Sequence, residues 1–539
     1  MSFRLCLLLL CLSWAAIYLP ALGDPELRGE EIRRILPAQG MLETGDWIVP
    51  RIAGEVYANK PPLINWAVAG MFALTGSDSE TSARLVSALS MLALALASFF
   101  LLRKPIGNER ALLVSLALLT TLTLISKGRL IEIEALFTAL FGIACFLWIR
   151  LWTDNRSPLL IWTLPYLFLG LGCLVKGPVH LLFWFPFILG TLRSARHMRS
   201  LFHPAHFLGL FLMAGIFLPW VILNIRAVGA GDASVGNWAE ELAIRGDVTQ
   251  MEWDRWLTNP LKIPGGFLPW VVPFFFALSF LWKKRIRLEP TVRGDALLSG
   301  SLVAIAFGYV LVCLLPGGVP RYLMPVYPLA ALVTIELFFR VPDPSRLRYE
   351  TFAGKLNRIL TALLLVSPVV MLILAGDKPA AGRLALLLIG LAAVGAVAWW
   401  IRNRWRDRPT FLHTALLIAA GSIALLPGMQ DFQGERDLFR NAAVKIDGLV
   451  PPGSRVVFYA DDDFRNRFTK HLRLLYYVRE PVTGIGETGS LPEDTTLFIG
   501  LPEAETAMRE KLAGHNVVAE SAIDVRRVSL LVLRLEPKS

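Results

Sequence analysis

Apolar runs long enough to cross a bilayer recur along most of this chain, separated by short polar stops. They predict thirteen spanning helices, near residues 5–22, 84–101, 110–125, 130–149, 158–173, 177–191, 206–224, 264–281, 298–315, 322–339, 359–374, 384–400 and 411–426. Two interruptions are much longer than a turn, at 23–83 and 225–263. A small opening near Pro316–Arg321 is broken by Gly317, Gly318 and Pro320. Beyond Pro427 the pattern changes. Short alternating apolar runs at Arg455–Tyr459, Thr495–Ile499 and Val528–Leu535 are separated by helical patterns at 466–476 and 502–512. The expected architecture is a multi-pass α-helical membrane protein: residues 1–426 form the membrane domain, and 427–539 form a small α/β domain.

Charge placement orients this array. Of the 539 residues 55% are apolar and 18% charged, with a net charge of +11, and mean hydropathy is +0.53. The basic residues gather in short loops, including Arg103, Lys104 and Arg110, then Arg193, Arg196 and Arg199, then Lys283, Lys284 and Arg285, and Arg402 to Arg408. Such loops face the cytoplasm, so lipid headgroups rather than nucleic acid account for the basic balance. With the N-terminus inside, all of these loops fall inside only if the apolar stretch 61–76 does not cross. That stretch is short, starts at Pro61-Pro62 and contains Gly70. It reads as an interfacial or re-entrant helix on the outer side, which places the C-terminal domain outside. The first run reads as a retained helix rather than a signal peptide. The five cysteines, Cys6, Cys11, Cys145, Cys173 and Cys313, all lie in apolar runs, which argues against a disulfide framework.

The candidate chemistry lies at the outer ends of the spans. The polar stretch 24–66 holds Glu30, Glu31, Arg33, Asp46, Tyr57 and Lys60. Glu132 and Glu134 open the fourth span, and on an ideal helix they point about 200° apart, so one of them is expected in a site and the other at a loop or headgroup. Lys60, Lys127, Arg129, Lys176 and Arg321 occupy outer ends, where few basic residues belong. Cations gathered there suit a shared anionic ligand such as a phosphate and offset charge on a leaving group. A carboxylate beside them suits proton acceptance from a hydroxyl. The 225–263 loop adds Glu240, Glu241, Arg245, Asp247, Glu252, Asp254 and Arg255. Asp461-Asp462-Asp463 reads as a solvated turn, with cation binding as the alternative.

The first loop resembles that of bacterial membrane glycosyltransferases of the aminoarabinose transferase and protein O-mannosyltransferase type. The elements that carry the likeness are Glu30-Glu31, Arg33, Gly45-Asp46-Trp47 and Tyr57-x-x-Lys60-Pro61. Lys176-Gly177-Pro178, Gly266-Phe267-Leu268-Pro269-Trp270 and Pro320-Arg321-Tyr322-Leu323-Met324-Pro325 agree with it. The resemblance covers roughly residues 1–425. It implies the C-type (GT-C) fold and inverting, single-displacement transfer from a polyprenyl-phosphate-linked sugar at the outer face of the inner membrane. It also implies Glu30 as base with Glu134 as partner and Glu132 in reserve, and Lys60, Arg321 and Lys176 on the donor phosphate. Glu31, Arg33, Asp46, Tyr57, Arg129 and Tyr322 would support them. Family members usually carry aspartate where Glu30 and Glu134 stand. Asn59 replaces a glutamate that contacts a metal in some aminoarabinose transferases, and the 225–263 loop has no histidine. A fixed metal is therefore not expected, although a divalent cation remains open as an accessory. The acceptor hydroxyl could belong to lipid A, another lipid-linked glycan, a polysaccharide or a protein. Two other readings stay open, a lipid or solute transporter and a non-catalytic scaffold of the same fold. A transporter calls for ionisable groups near the bilayer centre.

Overall fold

The computed structural model describes residues 1–52, 55–57, 59–229, 253–289, 292–375, 381–432, 438–449, 453–459, 473–480, 482–485, 490–512, 514–525 and 528–537. Glu240, Glu241, Arg245, Asp247, Glu252 and the Asp461–Asp463 run lie outside the described residues. The chain divides into two compact units: one holds Met1–Leu22, Asn59–Ala67 and Ala83–Phe432, the other Gly23–Ala58, Val68–Ser82 and Gln433–Ser539. The first loop and the tail, read from the sequence as parts of different domains, thus share a unit.

The first unit is helical. Its early elements are α1 (Phe3–Tyr18), α3 (Leu63–Thr75, which continues into the second unit), α4 (Glu80–Ile106), α5 (Asn108–Leu119), α6 (Leu122–Gly128), α7 (Ile133–Thr153), α8 (Pro158–Lys176), α9 (Leu181–Ser194) and α10 (Pro204–Val228), with α2 (Gly29–Thr44) in the second unit. Among the described residues eight helices are long and apolar enough to cross a membrane. A ninth crossing arises if α5 and α6, bent by 62° at Thr120-Thr121, are one broken span. The thirteen expected spans are therefore too many by this measure. Phe3–Tyr18, Val271–Trp282 and Thr410–Leu425 are apolar but shorter. The sixteen residues of α1 reach about 24 Å, against a hydrocarbon core of about 30 Å. The run at 177–191 is interrupted by a 3-10 turn, Pro178–His180, before α9 begins.

Local chemistry sets the helix ends that matter below. The Ser157 hydroxyl accepts from the Leu160 N–H at the start of α8, with Pro158 as its first residue. The same helix stops at Gly177, whose φ of +74° and ψ of −173° suit only glycine. Pro320–Val326 forms a 3-10 segment that leads into the buried helix Tyr327–Phe338. Its start is held by Asn259, whose amide donates to the Gly318 carbonyl at 2.8 Å.

In the second unit five strands, β3 (Arg455–Tyr459), β4 (Val482–Ile485), β5 (Thr495–Gly500), β6 (His515–Val525) and β7 (Val528–Pro537), form one sheet in the order β4-β3-β5-β7-β6; a two-residue pair, β1 (Arg51–Ile52) and β2 (Glu55–Val56), lies in the loop. β3 is parallel to β4 and β5, while β7 runs antiparallel to β5 and β6. Alternate residues of β3 enter different cores: Val456 and Phe458 pack with Phe439, Ile446 and Leu474, and Val457 and Tyr459 with Phe498 and Met508. Burial on both faces explains why β3 and β5 are almost continuously apolar. The α/β expectation holds for β3, β5 and β7. β4 and β6 were not foreseen, and β6 is a largely exposed edge whose residues carry no alternating pattern.

Candidate functional site

Five charged side chains of the helical unit converge from the ends of four elements. Lys127 ends α6, Glu132 caps α7, Glu134 lies in the first turn of α7, Lys176 ends α8, and Arg321 lies in the 3-10 segment. Carboxylates at the start of α7 are favoured by its dipole. The Lys127 ammonium donates to Glu132 at 2.6 Å. Arg321 stands 4.0 Å from Glu132 and 3.6 Å from Glu134, and Lys176 stands 3.6 Å from Glu134. Both carboxylates are buried, whereas Arg321 retains 37% of its side-chain exposure. The Lys176 ammonium also lies over the Tyr322 ring at 4.9 Å and the Phe137 ring at 5.7 Å.

The two glutamates do not point apart as an ideal helix requires. Glu132 has extended backbone, φ −119° and ψ 162°, so only Glu134 is on the helix and both carboxylates reach Arg321. Three cations face two carboxylates, which leaves the cluster at +1 when all five are ionised. The Nε–H of Arg321 is buried without a hydrogen-bond acceptor. A buried donor without an acceptor is costly, and an anion beside it would remove that cost. Lys127 was recognised in the sequence as an outer cation but not as a site residue. Its signal is the short Lys127-to-Glu132 spacing across a helix break.

The remaining candidates are placed as follows. The Arg129 guanidinium donates to the carbonyls of Ile17 at 2.8 Å and Pro20 at 2.6 Å, binding the end of α1. Lys60 is half-buried in the helical unit, in the bend before Pro61 and α3.

In the second unit, α2 carries the acidic pair. The Glu31 carboxylate is fully buried and accepts from the Arg28 N–H at 2.7 Å, closing the start of the helix. Glu30 is 42% exposed and pairs with Arg33 at 3.1 Å and Arg34 at 3.7 Å. Arg34, which sequence reasoning passed over, is buried and donates to the Tyr57 hydroxyl at 3.5 Å. Its signal was position alone, four residues after Glu30. The Gly-Asp-Trp element ends α2. Gly45 takes φ +74°, and its N–H reaches the Met41 carbonyl. Asp46 accepts from Ile48 and Val49 N–H at 3.0 and 3.1 Å, a turn that folds the chain back. Among the described residues no three His, Cys, Asp or Glu side chains converge in a way that could hold a metal ion.

The sequence profile of the dolichyl-phosphate-mannose-protein mannosyltransferase family matches residues 59–223. An uncharacterized protein of Aquifex aeolicus is 26% identical over 56% of this chain and 57% of its own length. An undecaprenyl phosphate-α-4-amino-4-deoxy-L-arabinose arabinosyl transferase of Pseudomonas fluorescens is 27% identical over 69% of this chain and 62% of its own. The chain thus spans less than two thirds of either relative. The crystal structure of ArnT from Cupriavidus metallidurans bound to undecaprenyl phosphate superposes with a TM-score of 0.69, at 18% identity, over 99% of this chain and 98% of that one, which shows a shared fold.

Proposed function

The chain belongs to the GT-C superfamily of membrane glycosyltransferases that holds the aminoarabinose transferases and the protein mannosyltransferases, and we propose that it moves a sugar from a polyprenyl phosphate to a hydroxyl acceptor. The observation that carries this reading is the cluster of Lys127, Lys176 and Arg321 around Glu132 and Glu134. A prenyl-phosphate sugar is a phosphodiester with one negative charge, which matches the +1 of the cluster. In a single displacement the acceptor oxygen bonds to the anomeric carbon while the bond from that carbon to the phosphate oxygen breaks. The hydroxyl proton passes to a carboxylate, and the phosphate leaves with added negative charge. Lys176 and Arg321 stabilise that charge. The proton acceptor is assigned to Glu30 with Glu134 as partner, and Lys60 to the donor phosphate, on the family pattern.

The ionisable groups of the cluster sit at helix ends, which favours transfer at a membrane face over transport through it. The cluster and the tail are assigned to the outer face of the inner membrane from the charge of the intervening loops. The relatives named for aminoarabinose favour a pentose donor; a hexose is the alternative. The test is initial-rate transfer in proteoliposomes from undecaprenyl-phosphate pentose and hexose donors to membrane lipids and glycans. Turnover with one donor class, lost in Arg321→Ala, is expected. Absence of turnover with every donor, while polyprenyl phosphate binding is unchanged by Arg321→Ala, removes the proposal.

A further inference from the structure

The tail grips the segment from which α2 starts, and every contact lies within one unit. The Glu26 carboxylate accepts from the backbone N–H groups of Phe439 at 2.8 Å and Arg440 at 2.9 Å. It thereby caps the tail helix Leu438–Asp447, an acidic group at the positive end of a dipole. Arg440 returns the contact, donating to the Asp24 carbonyl at 3.2 Å and pairing with Glu80. Leu27 is held through both backbone groups: its N–H donates to the Tyr477 oxygen at 2.9 Å, and its carbonyl accepts from Arg473 at 2.9 Å. Tyr477 in turn donates to Glu80 at 3.1 Å, and Arg473 lies 4.0 Å over the Phe439 ring. Burial keeps the Tyr477 hydroxyl protonated by raising its pKa, so it stays a donor.

Leu27 is three residues from Glu30, and α2 runs without a flexible joint from Gly29. A shift at Leu27 is therefore carried into the position of the Glu30 carboxylate. We infer that Arg440, Arg473 and Tyr477 are positioning residues for the reaction: the tail fixes the start of α2 and, through it, Glu30. This rests on the transferase reading above. It gives the tail a defined task, where the sequence supported only a generic accessory domain. Packing alone does not explain the arrangement, because a tail held merely for stability has no need to bond both backbone groups of Leu27.

The test uses the full-length protein with Tyr477→Phe, Arg473→Ala and Arg473→Lys. Tyr477→Phe removes the hydroxyl and keeps the ring. Misplacing a reacting group by about an ångström costs about a hundredfold, so Tyr477→Phe and Arg473→Ala should each lower kcat by about tenfold to a hundredfold. KM for the prenyl-phosphate donor should stay within about twofold, because uniform binding is untouched, and Arg473→Lys should recover most of the rate. In parallel, amide exchange at 27–35 should quicken about tenfold, while amides of β7 keep their protection. Faster exchange at 27–35 with an unchanged kcat overturns the inference, as does slower turnover with exchange at 27–35 unchanged. If β7 also loses protection in Arg473→Ala, Tyr477→Phe decides by the same two readouts. A wild-type protein without transferase activity defeats the functional reading, while the exchange data still report whether the clamp holds α2.

Discussion

Glu30→Gln and Glu31→Gln change neighbouring residues by the same single atom, yet the structure assigns them opposite outcomes. Glu31 is fully buried and accepts from the Arg28 N–H at 2.7 Å. Replacing its carboxylate turns a charge-assisted hydrogen bond into a neutral one, a loss of about 1 kcal/mol. The interaction with the helix dipole adds about 0.3–1 kcal/mol. The start of α2 should then open roughly tenfold more often, since about 1.4 kcal/mol is a factor of ten. Glu30 is 42% exposed and its partners are Arg33 and Arg34, so neutralising it should cost at most about 1 kcal/mol of stability. Its loss as proton acceptor should instead lower the rate by about 10²–10⁴-fold. Initial-rate transfer in proteoliposomes and amide exchange over 29–35 separate the two effects. The reasoning is refuted if Glu30→Gln keeps more than about a tenth of the rate while Glu31→Gln loses about a hundredfold with α2 still protected. If both variants stay active, the base lies elsewhere and Glu134 or Glu132 becomes the candidate.

Three further outcomes are expected. Gly177→Ala forces a side chain into a backbone region open to glycine alone, at a cost of about 1–3 kcal/mol; a lower thermal midpoint and weaker polyprenyl phosphate binding, through displacement of Lys176, would report it. Burial raises the Glu26 pKa, opposed by the Phe439 and Arg440 N–H groups and by the charges of Arg473 and Arg440. A raised folded pKa contributes stability that is present at low pH and lost as pH rises through it. Glu26→Gln, which keeps an acceptor for both N–H groups, should therefore protect residues 24–30 at least as well as wild type at pH 8 and no better near pH 4, measured by limited proteolysis at each pH. In a background without native cysteines, Lys104→Cys, Arg196→Cys and Arg285→Cys should label from the cytoplasmic side alone; labelling of Arg196→Cys from outside would break the parity that keeps 61–76 from crossing.

What was legible in the chain depended on the range of the interaction. Apolar runs report burial in lipid or protein residue by residue, so α4, α7, α8 and α10 could be placed directly. Such runs do not report where a helix bends, and α5 and α6 read as one segment because Thr120 and Thr121 are apolar enough in context. The outer cations stood out against the usual loop statistics, but their partners did not. Arg129 binds backbone carbonyls, which no pattern of side chains announces. The pairing of Glu132 and Glu134 around Arg321 required knowing that Glu132 precedes the helix rather than joining it. The clamp on Leu27 joins residues about four hundred and fifty positions apart. Nothing local in Asp24–Leu27 or in Arg473–Tyr477 signals the other, since each side meets mostly main-chain atoms.

The charge balance of the helical cluster bears on what happens after the sugar has moved. Three cations and two carboxylates already neutralise most of one another, so an arriving phosphodiester exchanges ions instead of filling an empty basic hole. The spent carrier is a different guest, because a free phosphate monoester carries about −1.5 to −2 charges at neutral pH. It outbids its precursor for the same cations. A catalyst arranged this way is slowed by its own by-product, and its turnover in the membrane would be set by how quickly the spent carrier is drawn away.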